Sequence, residues 1–64
     1  MIRINGADDA YLEENVEQLL TRRAIESRGV AVAIDGEVVP RSTWASTTVP
    51  DGASVEIVTA AAGG

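Results

Sequence analysis

The amino-acid sequence predicts an α+β fold in which a single helix covers a small mixed β-sheet. Several stretches alternate apolar and polar residues, as strands with one buried face do, and one stretch has apolar residues at helical spacing. An Asn-Gly pair and an Asp-Gly pair mark two tight hairpin turns. With 64 residues and no internal repeat, the chain makes one domain at most.

The first hairpin is predicted at the start of the chain. Ile2 and Ile4 flank a polar residue, and Asn5-Gly6 follows them. We expect a strand that ends in this turn and a second short strand near Ala10 to Leu12.

A helix is predicted after this hairpin because the apolar spacing changes from two residues to about 3.6. Asn15 can cap its N-terminus, and Gln18 stands three residues later, where a capping box requires a glutamine or glutamate. Gly29 marks the expected exit from the helical segment. The predicted buried face consists of Val16, Leu19 and Leu20, extended by Ala24.

Charged residues near the predicted helix ends fit the helix dipole. Glu17 lies near the positive end, and Arg22 and Arg23 lie near the negative end. Together with Arg28, these two arginines could also form a small basic patch. The dipole explains Arg22 and Arg23 without any ligand.

The second half of the chain contains the remaining predicted strands. Asp35-Gly36 is a hairpin turn, and Pro40 stops the return strand after Val39. One helical turn that buries Trp44 follows, and a turn at Pro50 to Gly52 leads into the last strand. The strand residues expected to face the helix here are Val30, Val32, Ile34, Val55 and Ile57.

The composition excludes several classes of protein. The chain has neither Cys nor His, so disulfides are excluded and a zinc site is not expected. The formal net charge of −5 argues against nucleic-acid binding and leaves two interpretations open, partners with basic surfaces or simple solubility. No apolar run is long enough to span a bilayer and no secretory leader opens the chain, so we expect a soluble cytoplasmic protein.

No catalytic constellation can be identified in the sequence. A nucleophilic triad needs a base beside the nucleophile, and the usual base, His, is missing. Asp8-Asp9 and Glu13-Glu14 are adjacent pairs whose side chains diverge, and we interpret them as solvated turn residues rather than ligands of a hard cation. We therefore expect neither a metal site nor an enzyme that acts alone.

The sheet face turned away from the predicted helix is small and half apolar. A solvated face normally carries Lys, Glu and Thr instead. Such a surface suits docking against a flat partner surface, and the alternative is packing against a second copy or a loop of the same chain. The predicted docking face consists of Arg3, Ala31, Ala33, Glu56 and Val58.

A series of motifs resembles the small ubiquitin-like sulfur carrier proteins, most closely the carrier of thiamin biosynthesis. The most specific motif is Val39-Pro40-Arg41 with Trp44 three residues further on, followed by Asp51-Gly52 and a Gly63-Gly64 end. The stretches N-V-E-Q-L-L, V-A-V-A-I-D-G-E-V-V and D-G-A-S-V-E-I-V add to it, so the resemblance covers nearly the whole chain.

The resemblance implies a β-grasp fold, with a mixed sheet of four or five strands, one helix across it, and the first and last long strands parallel and adjacent. It implies a β-grasp domain over residues 1–59 and a flexible C-terminal tail over residues 60–64. The chain departs from the family at Ala53, where an acidic residue often stands, and at Thr59-Ala60-Ala61, where bulkier residues are frequent. These departures concern partner affinity more than chemistry.

The resemblance also implies a protein cosubstrate rather than an enzyme. An E1-like, ATP-dependent activating enzyme would adenylate the Gly64 carboxylate, a persulfide sulfur donor would lead to its thiocarboxylate, and thiazole synthase would receive the sulfur. The carrier itself would bind no cofactor, because the activating partner consumes the ATP. The residues expected to enter the partner's active site are Ala60, Ala61, Ala62 and Gly63.

Other functions are compatible with the same motifs. One is a sulfur carrier for molybdopterin or cysteine synthesis, and another is a ubiquitin-like modifier conjugated to proteins through Gly64. The chain contains no Lys, so it could not extend lysine-linked polymers of itself. A plain interaction module with an incidental glycine end is the remaining interpretation.

Overall fold

The computed structural model describes residues 1–59, which form five strands, one α-helix and one 3-10 helix. The strands are β1 (Ile2–Ile4), β2 (Ala7–Asp9), β3 (Val30–Ile34), β4 (Glu37–Val38) and β5 (Ser54–Thr59). The α-helix α1 spans Val16–Arg22, and the 3-10 helix spans Arg41–Ser46.

The five strands form one mixed sheet in the order β2-β1-β5-β3-β4. Strands β1 and β5 are parallel, and the other neighbouring pairs are antiparallel. The first strand and the last strand are therefore parallel neighbours, with β5 at the centre of the sheet. This arrangement confirms the predicted α+β class and the strand arrangement that the resemblance implied.

The first turn has only two residues, and this corrects the predicted position of β2. Asn5 and Gly6 both have positive φ angles, 51° and 85°, as a tight hairpin turn between twisted strands requires. Ala7 therefore faces Ile4 directly, without spacer residues. The second strand is thus Ala7–Asp9, and the strand expected near Ala10 to Leu12 is wrong.

The N-terminus of α1 has the predicted capping box. The Asn15 side chain accepts a hydrogen bond from the Gln18 backbone N–H (2.7 Å), and the Gln18 side chain accepts one from the Asn15 backbone N–H (2.9 Å). These bonds satisfy two of the backbone donors that the helix leaves free at its start.

The helix ends earlier than expected. The Ile25 N–H donates to the Leu20 carbonyl (2.8 Å) and the Ala24 N–H to the Thr21 carbonyl (3.0 Å), which together form a Schellman motif. Ala24 has a φ of 57°, a conformation that glycine usually adopts at this position. Ala24 is therefore exposed and does not extend the buried face, and Gly29 lies well beyond the helix end.

The hydrophobic core lies between α1 and one face of the sheet. Trp44, on the predicted single helical turn, is buried there, and its indole Nε1 donates to the Val39 carbonyl at 2.9 Å. The ring therefore fills space without leaving its polar atom unpaired. The buried core residues are Ile2, Ile4, Val16, Leu19, Leu20, Val32, Trp44, Val49, Ala53 and Val55.

The remaining predicted strand features are confirmed. Asp35 and Gly36 both have positive φ and join β3 to β4, and Gly52 lies in the turn before β5. Val30, Ile34 and Ile57, all half-buried, pack against the core, as the alternation predicted. Within residues 1–59, α1 is too short to cross a bilayer.

Candidate functional site

Strand β5 ends at the last residue that the structure describes, directly before the predicted tail in the sequence. Thr59 is the last described residue and faces Val30 of β3. Ala60, Ala61, Ala62, Gly63 and the predicted carrier residue Gly64 lie outside the described residues. What the structure defines is therefore the platform that precedes the tail.

Asn5 holds the backbone of β5 close to this end. Its side-chain oxygen accepts a hydrogen bond from the Ile57 N–H (2.9 Å), and its side-chain nitrogen donates to the Ile57 carbonyl (3.2 Å). Strand β1 ends at Ile4, so the carboxamide of Asn5 takes the place of one more strand residue. The sequence predicted Asn5 only as a turn residue.

The predicted docking face is one continuous surface of the sheet. Ala31 faces Val58, and Ala33 faces Glu56 across the β3–β5 ladder. Arg3 lies between the buried Ile2 and Ile4 and therefore points to the same side, away from α1.

A shallow groove of about 210 Å³ crosses this docking face. It forms because the alanines of β3 are short, whereas the valines on the neighbouring strands stand above them. Val58 is 60 % exposed and Val38 is 74 % exposed. The groove is lined by Ala31, Val32, Ala33, Val38, Glu56 and Val58.

Val38 was not among the predicted docking residues. Its signal was available in the sequence, because Val39 packs against the core and the preceding residue of an extended segment must point to the other side. The exposed valine therefore adds an apolar wall to the groove on the β4 side.

Each of the two acidic pairs has one solvent-exposed residue and one residue in a cluster of ion pairs. Arg22 donates from Nε and Nη2 to the Glu14 carboxylate at 2.8–3.1 Å, and from Nη1 to Asp9 at 3.2 Å. Arg23 contacts the other oxygen of Asp9 at 2.7 Å. Glu14 is only 9 % exposed. The interpretation of Asp9 and Glu14 as solvated turn residues is therefore wrong.

The first residue of each acidic pair is exposed to solvent, as predicted. Asp8 and Glu13 are exposed, and Asp8 makes a long ion pair of 3.7 Å with exposed Arg3. Arg22 lies in the last turn of α1, as the dipole interpretation expected, but its main partners are carboxylates rather than helix carbonyls.

The ion pairs leave the cluster unsuited to acid–base chemistry. The pKa of Asp9 lies below its usual value, because its carboxylate accepts a hydrogen bond from the Ala10 N–H (2.6 Å) and faces Arg22 and Arg23. Glu14 in turn raises the pKa of Arg22. Over residues 1–59, no group of three or more acidic side chains is placed to hold a metal ion.

A cleft of about 490 Å³ lies between the β3–β4 hairpin and residues 47–50. The Thr43 and Thr47 hydroxyls beside it already donate to the carbonyls of Pro40 and Thr43. Asp35 also accepts a hydrogen bond from the Ser54 N–H. These three polar side chains therefore serve the fold, and we assign the cleft no ligand.

Comparison with solved structures confirms the β-grasp fold. A crystal structure of the thiamine biosynthesis protein ThiS from Geobacter metallireducens superposes with a TM-score of 0.82 at 33 % identity, covering 98 % of this chain and 97 % of that one. A solution NMR structure of a thiamine biosynthesis protein from the same organism gives a TM-score of 0.76, also at 33 % identity, covering 98 % of this chain and 86 % of that one.

A longer protein contains a related segment. A thiazole synthase from Paramagnetospirillum magneticum is 40 % identical over 62 residues, which are 95 % of this chain. The chain spans only 19 % of the length of that protein. The family model of the ThiS family matches residues 2–64. Because that match covers nearly every residue, the chain belongs to the ThiS family.

Proposed function

We propose that this chain is the sulfur carrier protein that supplies thiazole synthase in thiamin biosynthesis. The observation that carries the proposal is the family match over residues 2–64, which includes the Gly63-Gly64 end. The thiamine biosynthesis protein from Geobacter metallireducens, matched over almost its full length, supports the same assignment. The proposal places the protein in the cytoplasm, where its activating partner consumes ATP.

The chemistry would take place on the Gly64 carboxylate. A carboxylate is a poor electrophile, so it first attacks the α-phosphorus of ATP and forms an acyl-adenylate with release of pyrophosphate. The terminal sulfur of a persulfide then attacks the acyl carbon, the bond to AMP breaks, and an acyl disulfide forms. A thiol cleaves the S–S bond, which leaves a thiocarboxylate on Gly64 and a disulfide on the donor side.

This chain would contribute no catalytic group to these steps. The carboxylates of Asp9 and Glu14 are already held in ion pairs by arginines. An E1-like adenylating enzyme would bind the ATP, and the carrier would present its terminus. We expect no resident cofactor in the carrier.

The small residues of the tail suit this role. Gly63 and Gly64 have no Cβ, so their backbone can pass a narrow channel and adopt φ values that are closed to other residues. Five extended residues span roughly 16–18 Å. The Ala60, Ala61 and Ala62 side chains add little width, so the domain can stay outside while Gly64 reaches the reacting groups.

The docking face is the surface that we assign to partner recognition. Its groove places the short alanines of β3 between Val38 and Val58, and an apolar side chain of a partner would fit between them. Burial of that apolar surface would favour the complex.

The relative from Paramagnetospirillum magneticum bears on the sulfur acceptor. A protein named thiazole synthase contains a segment similar to this chain. We infer that a domain of this kind works next to a thiazole synthase and take that enzyme as the acceptor of the sulfur.

Intact-mass spectrometry tests the proposal. The chain is expressed together with the adenylating enzyme and the persulfide donor of its own organism. We expect a species heavier than the unmodified chain by the difference between one sulfur and one oxygen. A variant that lacks Gly64 is the control and gives no such species.

The same experiment separates the competing functions. Covalent conjugates to other proteins, without the thiocarboxylate, would show a protein modifier instead. A thiocarboxylate that is consumed by a molybdopterin-forming or cysteine-forming enzyme, but not by thiazole synthase, would keep the carrier and change its acceptor.

A further inference from the structure

Two of the five arginines have no carboxylate partner among residues 1–59. Arg3, Arg22 and Arg23 each lie within 4.0 Å of an acidic oxygen. Arg28 and Arg41 make no ion pair of that kind with the described residues, although the chain carries ten acidic side chains. Both arginines are exposed.

The topology brings these two arginines to the same end of the sheet. Arg28 precedes Val30 by two residues, and Val30 faces Thr59, the last described residue of β5. The Val39 N–H donates to the Val32 carbonyl, so the chain after β4 runs back along β3 toward Val30. We call this end of the sheet, where Val30 faces Thr59, the tail root.

A direct contact joins Arg41 to the segment that carries Arg28. Its Nη2 donates to the Ser27 hydroxyl at 3.3 Å, next to Arg28 in sequence. The Arg41 guanidinium also lies 5.7 Å from the centre of the Trp44 ring. These contacts restrict the long side chain before any partner binds, which lowers the entropy that binding would cost.

The chemistry of the pair favours an acidic partner. A guanidinium presents its donors in a planar fork that matches a carboxylate or a phosphate. Glu26 is on the same loop as Arg28, but it forms no ion pair with either arginine. Arg28 and Arg41 therefore place positive charge close to the start of the tail, although the whole chain has a net charge of −5.

We propose that Arg28 and Arg41 form a cationic rim that binds aspartate or glutamate side chains around the mouth of the channel that receives the tail. This inference rests on the proposed function and adds a partner surface to it. The carboxylates of the adenylating enzyme would be aligned with the two guanidinium groups as the tail enters. A nucleotide that reacts with Gly64 lies roughly 16–18 Å from the rim when the tail is extended, so its phosphates are not the partner of these arginines.

Steady-state adenylation kinetics test the cationic rim. ATP–pyrophosphate exchange is measured with the adenylating enzyme of the same organism and full-length chain as the varied substrate. Arg28→Gln and Arg41→Gln should each raise the KM for the carrier about fivefold, and more in the double variant, with the KM for ATP unchanged. Arg→Lys variants keep the charge and should recover most of the affinity.

A control variant adds the same charge change elsewhere. Thr48→Glu also makes the net charge more negative by one, but Thr48 pairs with Asn15 at the N-terminal end of α1. A carboxylate there is compatible with the helix dipole, so the fold is kept. We expect the KM of this variant to equal that of the wild type. Raising the salt concentration should reduce the difference in KM between the wild type and the Gln variants.

The outcomes distinguish the two proposals. If the wild-type chain is not adenylated at all, the proposed function fails. If it is adenylated and the Gln variants match the Thr48→Glu control, only the cationic rim is wrong. A raised KM for ATP would also overturn it, because the arginines would then act on the nucleotide. Thermal unfolding of each variant shows whether the loss of the Arg41–Trp44 contact has altered the fold instead.

Discussion

Asn5 and Ile57 lie 52 positions apart in the chain, yet the Asn5 carboxamide makes two hydrogen bonds with the backbone of Ile57, one as acceptor and one as donor. A turn residue thereby continues the parallel pairing of β1 with β5 beyond the end of β1. The left-handed backbone of Asn5, with φ at 51°, points the side chain along this path. The turn and the central strand are therefore stabilised by the same residue.

Two substitutions at Asn5 separate its two roles. Asn5→Gly removes the hydrogen bonds to Ile57 but tolerates the positive φ, and should lower the free energy of unfolding by about 1–2 kcal/mol. Asn5→Ala loses the same bonds and adds left-handed strain, so a further loss of about 1 kcal/mol is expected. Urea denaturation measures both. Equal stability of the two variants would show that the turn conformation contributes nothing.

Ala24→Gly should stabilise the protein. Ala24 occupies the left-handed position of the Schellman motif, with φ at 57°, where its Cβ is strained. Relief of this strain outweighs the greater flexibility of glycine in the unfolded chain, and a gain of about 0.5–1 kcal/mol in the free energy of unfolding is expected. Ala45→Gly, within the 3-10 helix, is the matched control and should destabilise. A loss of stability in Ala24→Gly would contradict the strain at Ala24.

Removal of one member of the Arg22–Glu14 ion pair should lower the free energy of unfolding far more than replacement of both members. Arg22→Met leaves the Glu14 carboxylate almost buried without its bidentate partner, and should lower the free energy of unfolding by about 3 kcal/mol. The double variant Arg22→Met, Glu14→Leu removes both charges and should recover most of that loss. Thermal denaturation of the single and double variants measures the coupling. Additive losses would show that the two groups do not depend on each other.

Asp9 should make stability depend on pH in the acid range. Its pKa is lowered in the folded state, first by the Ala10 N–H and then by the two arginines, and an unfolded Asp has a pKa of about 4. The unfolded state therefore takes up the proton first, so this stabilisation is complete above pH ~4 and is lost as the pH falls through the lower folded value. Urea denaturation at a series of pH values below 5 should show a weaker dependence in Asp9→Asn than in the wild type. Parallel curves would rule out Asp9 as the source.

A charge placed in the docking groove should impair activation while leaving the fold intact. Ala33→Glu and Val58→Glu introduce a carboxylate where we propose that an apolar partner side chain binds. Both should lower kcat/KM for adenylation at least about tenfold, since an unpaired charge would have to be desolvated in the complex. Thermal unfolding provides the control for folding. Unchanged adenylation in both variants would remove the docking face from the proposal.

Much of the fold could be predicted because its signals are local. The capping box at Asn15, the Asp35-Gly36 turn and the alternation in β3 and β5 each depend on residues a few positions apart. The same alternation predicted which side chains share the docking face. The resemblance then supplied the strand order, which no local pattern contains.

The features that escaped prediction depend on exceptions or on distant partners. Ala24 ends the helix in a conformation that glycine usually takes, so the true end carried no glycine signal. Asp9 and Glu14 looked like solvated acids because Arg22 reaches them only after β2 packs near α1. The second role of Asn5 likewise requires Ile57, which folding brings from the other end of the chain.

The central position of β5 has a mechanical consequence. A partner that draws on the chain beyond Thr59 applies its force along β5, which is held by β3 on one side and by β1 and Asn5 on the other. The hydrogen bonds run across the direction of the pull, so they are loaded together in shear and do not open one after another. Such an arrangement would help the domain to stay folded if a partner pulled on its terminus.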